Sequence, residues 1–421
     1  MTTFLKLWTL AALMLVTTAS CSNDDDVNVG EDEVVQMLAS ATPIQLNEAQ
    51  QQMRNMSNEF AWQLFRTTQQ SNDNQGSNIL SPMSVTYLLG MMDAGAGGST
   101  RDEITSVLGF GNDVTAVNQF CKTLIDGAGS AEPVATVKIA NCVEVNSALG
   151  ISLLQQYVDD IKHYYNAQID ALDFTNNNTL NFINNWCKDN TDGMIPSILD
   201  KINPRAAMYM LNAIYFKAEW TAKFNKNHTR EMDFTLTNGS TVKRDLMHIK
   251  ARALYGQDET CSTLRLPFGN GAYSMYAMLP AEGVSLEEFI QGMTIQQLNA
   301  RLYNIGTADI DVLLPKFETS SDIQLIETLK DMGITSAFDP NRADFSNMSN
   351  ASLCVSQMKQ KAKIEVNEDG AKAAAVTVAG FVLTSVESIP SFDFHATRPF
   401  LYLILEESTH SIIFIGTYCG D

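Results

Sequence analysis

Apolar residues recur first at helical spacing. Met53, Met56, Phe60 and Leu64 follow one another at intervals of three or four, which predicts an amphipathic helix over about 47 to 68 with its stripe on the core. Beyond a turn-rich stretch ending at Ser77, Ser81 stands where a side chain can cap a helix, and Pro82 takes the first helical position. That helix is expected to run into Gly95-Ala96-Gly97-Gly98, and Thr100 with Glu103 reads as a capping box for a further helix ending near Gly109. Later in the chain the pattern changes. The continuous apolar runs Tyr209 to Phe216 and Tyr273 to Leu279 predict strands buried on both faces. Phe400 to Glu406 and Ser411 to Gly416, divided by Glu407-Ser408-Thr409-His410, predict a hairpin. Helices crowd the first half and strands the second, with no linker between 47 and 421, so one large α+β domain is expected.

Composition narrows the chemistry. The 421 residues are 45% hydrophobic and 18% charged, ample for a packed core. With 28 Lys and Arg against 48 Asp and Glu, the net charge of -20 leaves no basic surplus to displace counterions from phosphates, and nucleic acid is excluded as a sequence-independent partner. Five histidines and seven cysteines occur without C-x-x-C or H-E-x-x-H, so no metal or thiol enzyme is indicated. The cluster Gly95 to Gly98 is not a dinucleotide loop, because Thr100 replaces the third glycine and no strand precedes it. There is no G-x-S-x-G nucleophile turn. No cofactor is expected.

At the start of the chain, Lys6 precedes the apolar run Leu7 to Val16, then Thr17-Thr18-Ala19-Ser20 and Cys21. The run is too short to span a bilayer and ends on small residues, the layout of an export signal. One reading is an ordinary cleaved signal with an incidental cysteine. The other rests on Cys21 standing at the cleavage point ahead of Ser22-Asn23-Asp24-Asp25-Asp26, which resembles a bacterial lipoprotein signal, although Thr18 departs from the preferred leucine. That resemblance implies lipidation of Cys21, membrane contact only through the anchor, and an exported protein at the outer membrane or cell surface. The acidic stretch to about Leu46 reads as a solvated tether. The expected layout is thus a signal over 1-20, a tether over 21-46 and a folded body over 47-421. The six remaining cysteines are scattered, and both pairing and buried free thiols stay open.

The most informative segment is Glu365 to Gly380. Positions 371, 373, 375, 377 and 379 are Ala, Ala, Ala, Thr and Ala, while Lys372 falls in the other register. As a strand this puts small side chains on one face and the charge on the other, a segment able to slide into a crowded sheet. Ala and Gly are poor strand formers and Pro390 halts pairing, so an exposed loop is equally credible, as is an Ala-rich helix over 368 to 379.

Glu368-Asp369-Gly370-Ala371, followed by Ala373-Ala374-Ala375 and Thr377, resembles the reactive-loop hinge of serpins, the metastable protease inhibitors. Asn78 to Ser84, Leu211 to Trp220, Gly333-Ile334-Thr335 with Asp344-Phe345-Ser346, and Arg398-Pro399-Phe400 through Gly416 resemble further serpin segments in the same order. The resemblance implies eight or nine helices, three β-sheets and an exposed loop over about 368 to 397. It also implies a monomer with no catalytic residue, whose loop forms an acyl complex with a serine protease and then inserts into the large sheet A.

Carried over residue by residue, the hinge is Glu368, Gly370, Ala371, Ala373, Ala374, Ala375 and Thr377, free of the bulky or charged inward residues that mark non-inhibitory members. Ser81, Ser84 and Asn212 match the shutter beneath the sheet opening, with Gln360 where a histidine is usual, and Trp220 matches the breach at its entrance. Family spacing puts the reactive bond at Thr384-Ser385. The long stretch from Gly370 to Pro399 leaves Leu383, Val382 and Phe381 as alternatives. No Lys or Arg lies between Ala373 and Thr397, which disfavours trypsin-like proteases and favours elastase-like ones, with chymotrypsin-like ones second. The alternatives kept are a non-inhibitory surface binding module and an inhibitor mainly of cysteine proteases.

Overall fold

Why one strand can be apolar along its whole length is answered by what lies on its two faces. In the computed structural model, which describes residues 41–70, 76–130, 135–370 and 389–421, the run around Asn212 is strand β4 (Met208–Ala218). Its Met208, Met210, Ile214 and Phe216 join the main core, while Tyr209, Leu211 and Ala213 meet Ile183, Trp186 and Cys187 of a covering helix, α6 (Thr179–Asn190). Burial on both sides removes the polar alternation of a half-exposed strand.

The preceding elements are α1 (Glu48–Gln69), β1 (Asn78–Leu80), α2 (Pro82–Gly95), α3 (Gly98–Leu108), α4 (Val114–Ser130), β2 (Ala135–Asn146), α5 (Gln155–Tyr165) and β3 (Gln168–Leu172). After β4 come β5 (Arg230–Thr235), β6 (Thr241–Gln257), β7 (Cys261–Phe268), β8 (Tyr273–Pro280), α7 (Leu286–Gly292), α8 (Ile295–Tyr303), β9 (Gly306–Pro315), β10 (Phe317–Gln324) and α9 (Ile326–Asp331). The chain closes with β11 (Val355–Val366), β12 (Ser391–His395), β13 (Phe400–Glu406) and β14 (Ser411–Tyr418). The expected hairpin is β13 and β14, antiparallel from Phe400↔Tyr418 to Glu406↔Ser411.

The described strands form two sheets. One has five strands in the order β10-β11-β4-β2-β3; the other has nine, β1-β14-β13-β8-β7-β6-β9-β12, with β5 on β6. The two smaller sheets implied by the resemblance run together because β6 is 17 residues long. Its start pairs β5, its body pairs β9 and its end pairs β7.

The starts of α1 and α2 are capped by side chains, the one at Ser81 as expected, and the start of α3 departs from expectation. Asn47 caps α1 in a reciprocal pair with Gln50, and the Ser81 hydroxyl accepts from the Ser84 amide with Pro82 at the first position of α2. The expected Thr100–Glu103 capping box does not form. The cap of α3 is Gly97, with no side-chain bond, while Glu103 accepts from the backbone amides of Thr335 and Ser336, both at 2.7 Å, and Thr100 Oγ1 accepts from the Asp344 amide at 2.9 Å. Tertiary donors outcompete the local cap. The helix does end at Gly109, left-handed at φ 71°.

The tether expected through residue 46 gives way to packed chain before that point. Ala41, Ile44 and Leu46 lie against the core, and the Ile44 amide donates to Ser408 Oγ at 2.9 Å. The six described cysteines are unpaired; five are buried and Cys354 is half-buried.

Candidate functional site: the β4–β11 junction

The middle of the five-stranded sheet joins β11 to β4 in parallel, from Val355↔Met208 to Lys363↔Tyr215. Pairing between them stops there, although β4 continues to Ala218 and β11 to Val366. Each upper end remains paired on its outer side, Ala218 to Ala135 of β2 and Val366 to Phe317 of β10. The two central strands therefore part at one end.

A buried polar cluster lies across the closed part of this junction. Because Asn212 shares the face of Met210 and Ile214, its amide points into the main core towards α2. Gln360 stands opposite it in register on β11. The Gln360 amide holds the Ser81 backbone from both sides: Oε1 accepts from the Ser81 N–H at 2.8 Å and Nε2 donates to its carbonyl at 2.9 Å. Nε2 also donates to Asn212 Oδ1 at 3.3 Å. Ser81 Oγ donates to the Ile413 carbonyl at 2.8 Å and lies 3.1 Å from Ser84 Oγ. Asn212 Nδ2 donates to Asn141 Oδ1 at 2.9 Å and the Ala140 carbonyl at 3.3 Å. Ser81, Ser84, Asn212 and Gln360 are fully buried, so their polar atoms depend on one another. The structure thus brings together all four residues expected at the shutter and adds Asn141, which sequence reasoning missed. Its signal was available, a lone amide inside the apolar stretch Ile139 to Val143.

At the open end, β11 finishes in a tight turn whose Asn367 and Gly370 exchange backbone hydrogen bonds at 3.1 Å. The turn is fastened to the end of β4. The Trp220 amide donates to the Asp369 carbonyl at 3.1 Å, the Phe224 amide to the Glu368 carbonyl at 3.0 Å, and the Trp220 indole Nε1 to the Asn367 carbonyl at 2.8 Å. The Trp220 ring stacks on Phe268 at 4.4 Å. Glu368 is nearly buried. Its carboxylate accepts from Thr229 Oγ1 at 2.9 Å and lies 3.3 Å from Lys316 Nζ. Burial alone would raise its pKa, but hydrogen bonds and Lys316 hold it below the ordinary carboxylate range. Asp369 pairs with Lys226 at 2.6 Å.

Gly370 bridges Glu219 at φ 107°, a conformation other residues rarely adopt. Of the expected hinge, Glu368 and Gly370 therefore lie at the mouth of the parted strands, beside Trp220. Ala371, Ala373, Ala374, Ala375 and Thr377, the reactive-bond candidates Phe381, Val382, Leu383, Thr384 and Ser385, and Cys21 lie outside the described residues.

Residues 55–420 match the family model described as Serpin (serine protease inhibitor). The leukocyte elastase inhibitor A of Rattus norvegicus is 28% identical over 385 residues, covering 88% of this chain and all of that protein. The native state of a thermophilic serpin, tengpin, superposes with a TM-score of 0.80 at 30% identity, over 91% of this chain and 98% of that one. Human thyroxine-binding globulin, solved as a complex with thyroine, gives 0.78 at 26% identity, over 88% and 98%.

Proposed function

Because the chain belongs to the serpin family, we propose that it inhibits serine proteases as a suicide substrate. A protease attacks a bond in the segment following Gly370 and becomes its own acyl-enzyme. The freed segment then enters the sheet between β4 and β11. The observation that carries this reading is the position of Gly370, bridged to Glu219 where those two strands part.

The sheet supplies the driving force. A segment turning down from Gly370 runs antiparallel to both β4 and β11, so insertion replaces one parallel ladder by two antiparallel ones, the more stable kind per residue. About 15 residues at ~3.3 Å each would carry an attached protease roughly 50 Å. Insertion also moves β4 and β11 from neighbours at about 4.8 Å to roughly twice that spacing, which breaks the Gln360–Asn212 bond. That bond is therefore read as a latch on the closed sheet, with Ser81 and Ser84 as its seat.

For specificity we favour elastase-like proteases, with the acyl bond at Thr384 and Ser385 leaving. The run from Ala373 to Thr397 offers no basic side chain to a trypsin-like pocket. Incubation with pancreatic elastase should give an SDS-stable complex and a released peptide beginning at Ser385, and trypsin should give no complex. Cleavage by elastases and chymotrypsin alike without any complex would sink the inhibitory reading. The lipid anchor at Cys21 is part of the same proposal. Radiolabelled fatty acid should be incorporated by the wild-type chain and not by Cys21→Ala.

A further inference from the structure

Three of the chain's five histidines, His228, His248 and His395, gather at one edge of the nine-stranded sheet. The register explains the meeting of the last two. β12 pairs β9 in parallel with Asp393↔Asp311 and His395↔Leu313, and β9 pairs β6 with Asp311↔Lys250 and Leu313↔His248. Alternation then puts Asp393, His395, Asp311 and His248 on one face, while Phe394 points the other way into the core. Asp311 Oδ1 sits 2.8 Å from His248 Nε2 and 3.6 Å from His395 Nε2. One ligand atom each from Asp311, Asp393 and His395 falls within 4.8 Å of the others. His395 Nε2 is itself out of reach of solvent and has no hydrogen-bond partner among the described residues.

We propose that Asp311, Asp393 and His395 form a divalent-cation site that ties β12 to β9, with His248 holding Asp311 from β6 at 2.8 Å. One imidazole and two carboxylates, with a fourth position left open, are a donor set that zinc accepts. Tetrahedral coordination at about 2.0–2.2 Å brings ligand atoms to roughly 3.4 Å apart. The exposed Asp393 side chain closes that difference by changing rotamer. One charge opposes the ion: Lys250 Nζ lies 3.1 Å from Asp311 Oδ2 and would share that carboxylate. Arg252 is engaged by Asp309 one row away at 3.0 Å. The mechanical consequence follows from topology. β12 is a five-residue strand whose only strand partner among the described residues is β9, so an ion coordinated by its Asp393 and His395 pins it in place. This holds whether or not the chain inhibits proteases.

The test is calorimetric titration of the full chain with zinc chloride, paired with hydrogen exchange on residues 391–395. Wild type is expected to bind one zinc per chain at micromolar or lower concentration and to slow exchange across that strand. His395→Ala and Asp393→Asn should each weaken binding by more than about tenfold and abolish the added protection, while unchanged far-ultraviolet circular dichroism verifies their folding. Lys250→Gln should bind more tightly than wild type. Absence of saturable binding would overturn the site. So would undiminished affinity in both ligand variants, which would place the zinc elsewhere, or zinc binding without protection of β12.

Discussion

A β-carbon added to Gly370 would lie 2.4 Å from the amide nitrogen of Trp220. Its next neighbours are the Ala218 carbonyl oxygen and the Glu219 Cα, both at 2.5 Å, so all three obstacles are backbone and none can swing aside. Together with the positive φ, this makes the turn that ends at Gly370 accessible to glycine alone. Gly370→Ala is expected to break the Glu219 bridge and lower the melting temperature of the intact protein, with strain of about 1–3 kcal/mol. A variant that melts with wild type would show that the turn is not held against β4.

Gln360 provides the second test. Gln360→Leu keeps the volume but strands the Ser81 amide and Asn212 Oδ1, each at about 1–3 kcal/mol when buried without a partner, and leaves the Ser81 carbonyl with the Val85 amide at 3.3 Å. The intact form should melt well below wild type. Gln360→His should recover part of the loss at pH 8 and lose it again on acidification, since an imidazole titrates in that range and an amide does not. Equal melting of Gln360→Leu and wild type would remove the latch.

A third expectation concerns pH. Glu144 on β2 is fully buried, with Cys142 Sγ donating to Oε1 at 3.1 Å and Oε2 without a hydrogen-bond partner among the described residues. Burial, helped by the charge of Asp170 and partly offset by the Cys142 thiol, pushes its pKa from 4.5 up to about 8. The folded state therefore keeps a proton that the unfolded chain releases. Stability from this group is fully present below pH 4.5 and is lost as pH rises through about 8, at a limiting slope of about 1.4 kcal/mol per pH unit. Glu144→Gln removes the titration. Its melting temperature should gain on wild type steadily across that window and then run parallel; a constant difference would contradict the shift.

How much of this was legible in the sequence depended on whether the partners were local. The buried strand around Asn212, the Ser81-Pro82 helix start and the Gly109 stop follow from near neighbours and came out as expected. The shutter residues were legible only through the family resemblance, because Ser81 and Gln360 are 279 positions apart. Glu103 was misread for the same reason, since a capping box is a local pattern and its actual donors are more than 230 residues away. His248, Asp311 and His395 sit on three strands with no motif spacing, so only the register brings them together. The merging of two sheets through β6 was equally hidden, because no proline or glycine marks a break before Gly256.

Insertion of the segment after Gly370 is the central claim, and thermal unfolding of the intact protein against protein cut once between residues 380 and 386 tests it most directly. Insertion predicts that the cut form melts far above the intact one, because the parallel β4–β11 ladder has been replaced by two antiparallel ladders. Equal melting temperatures, or a lower one for the cut form, would contradict it.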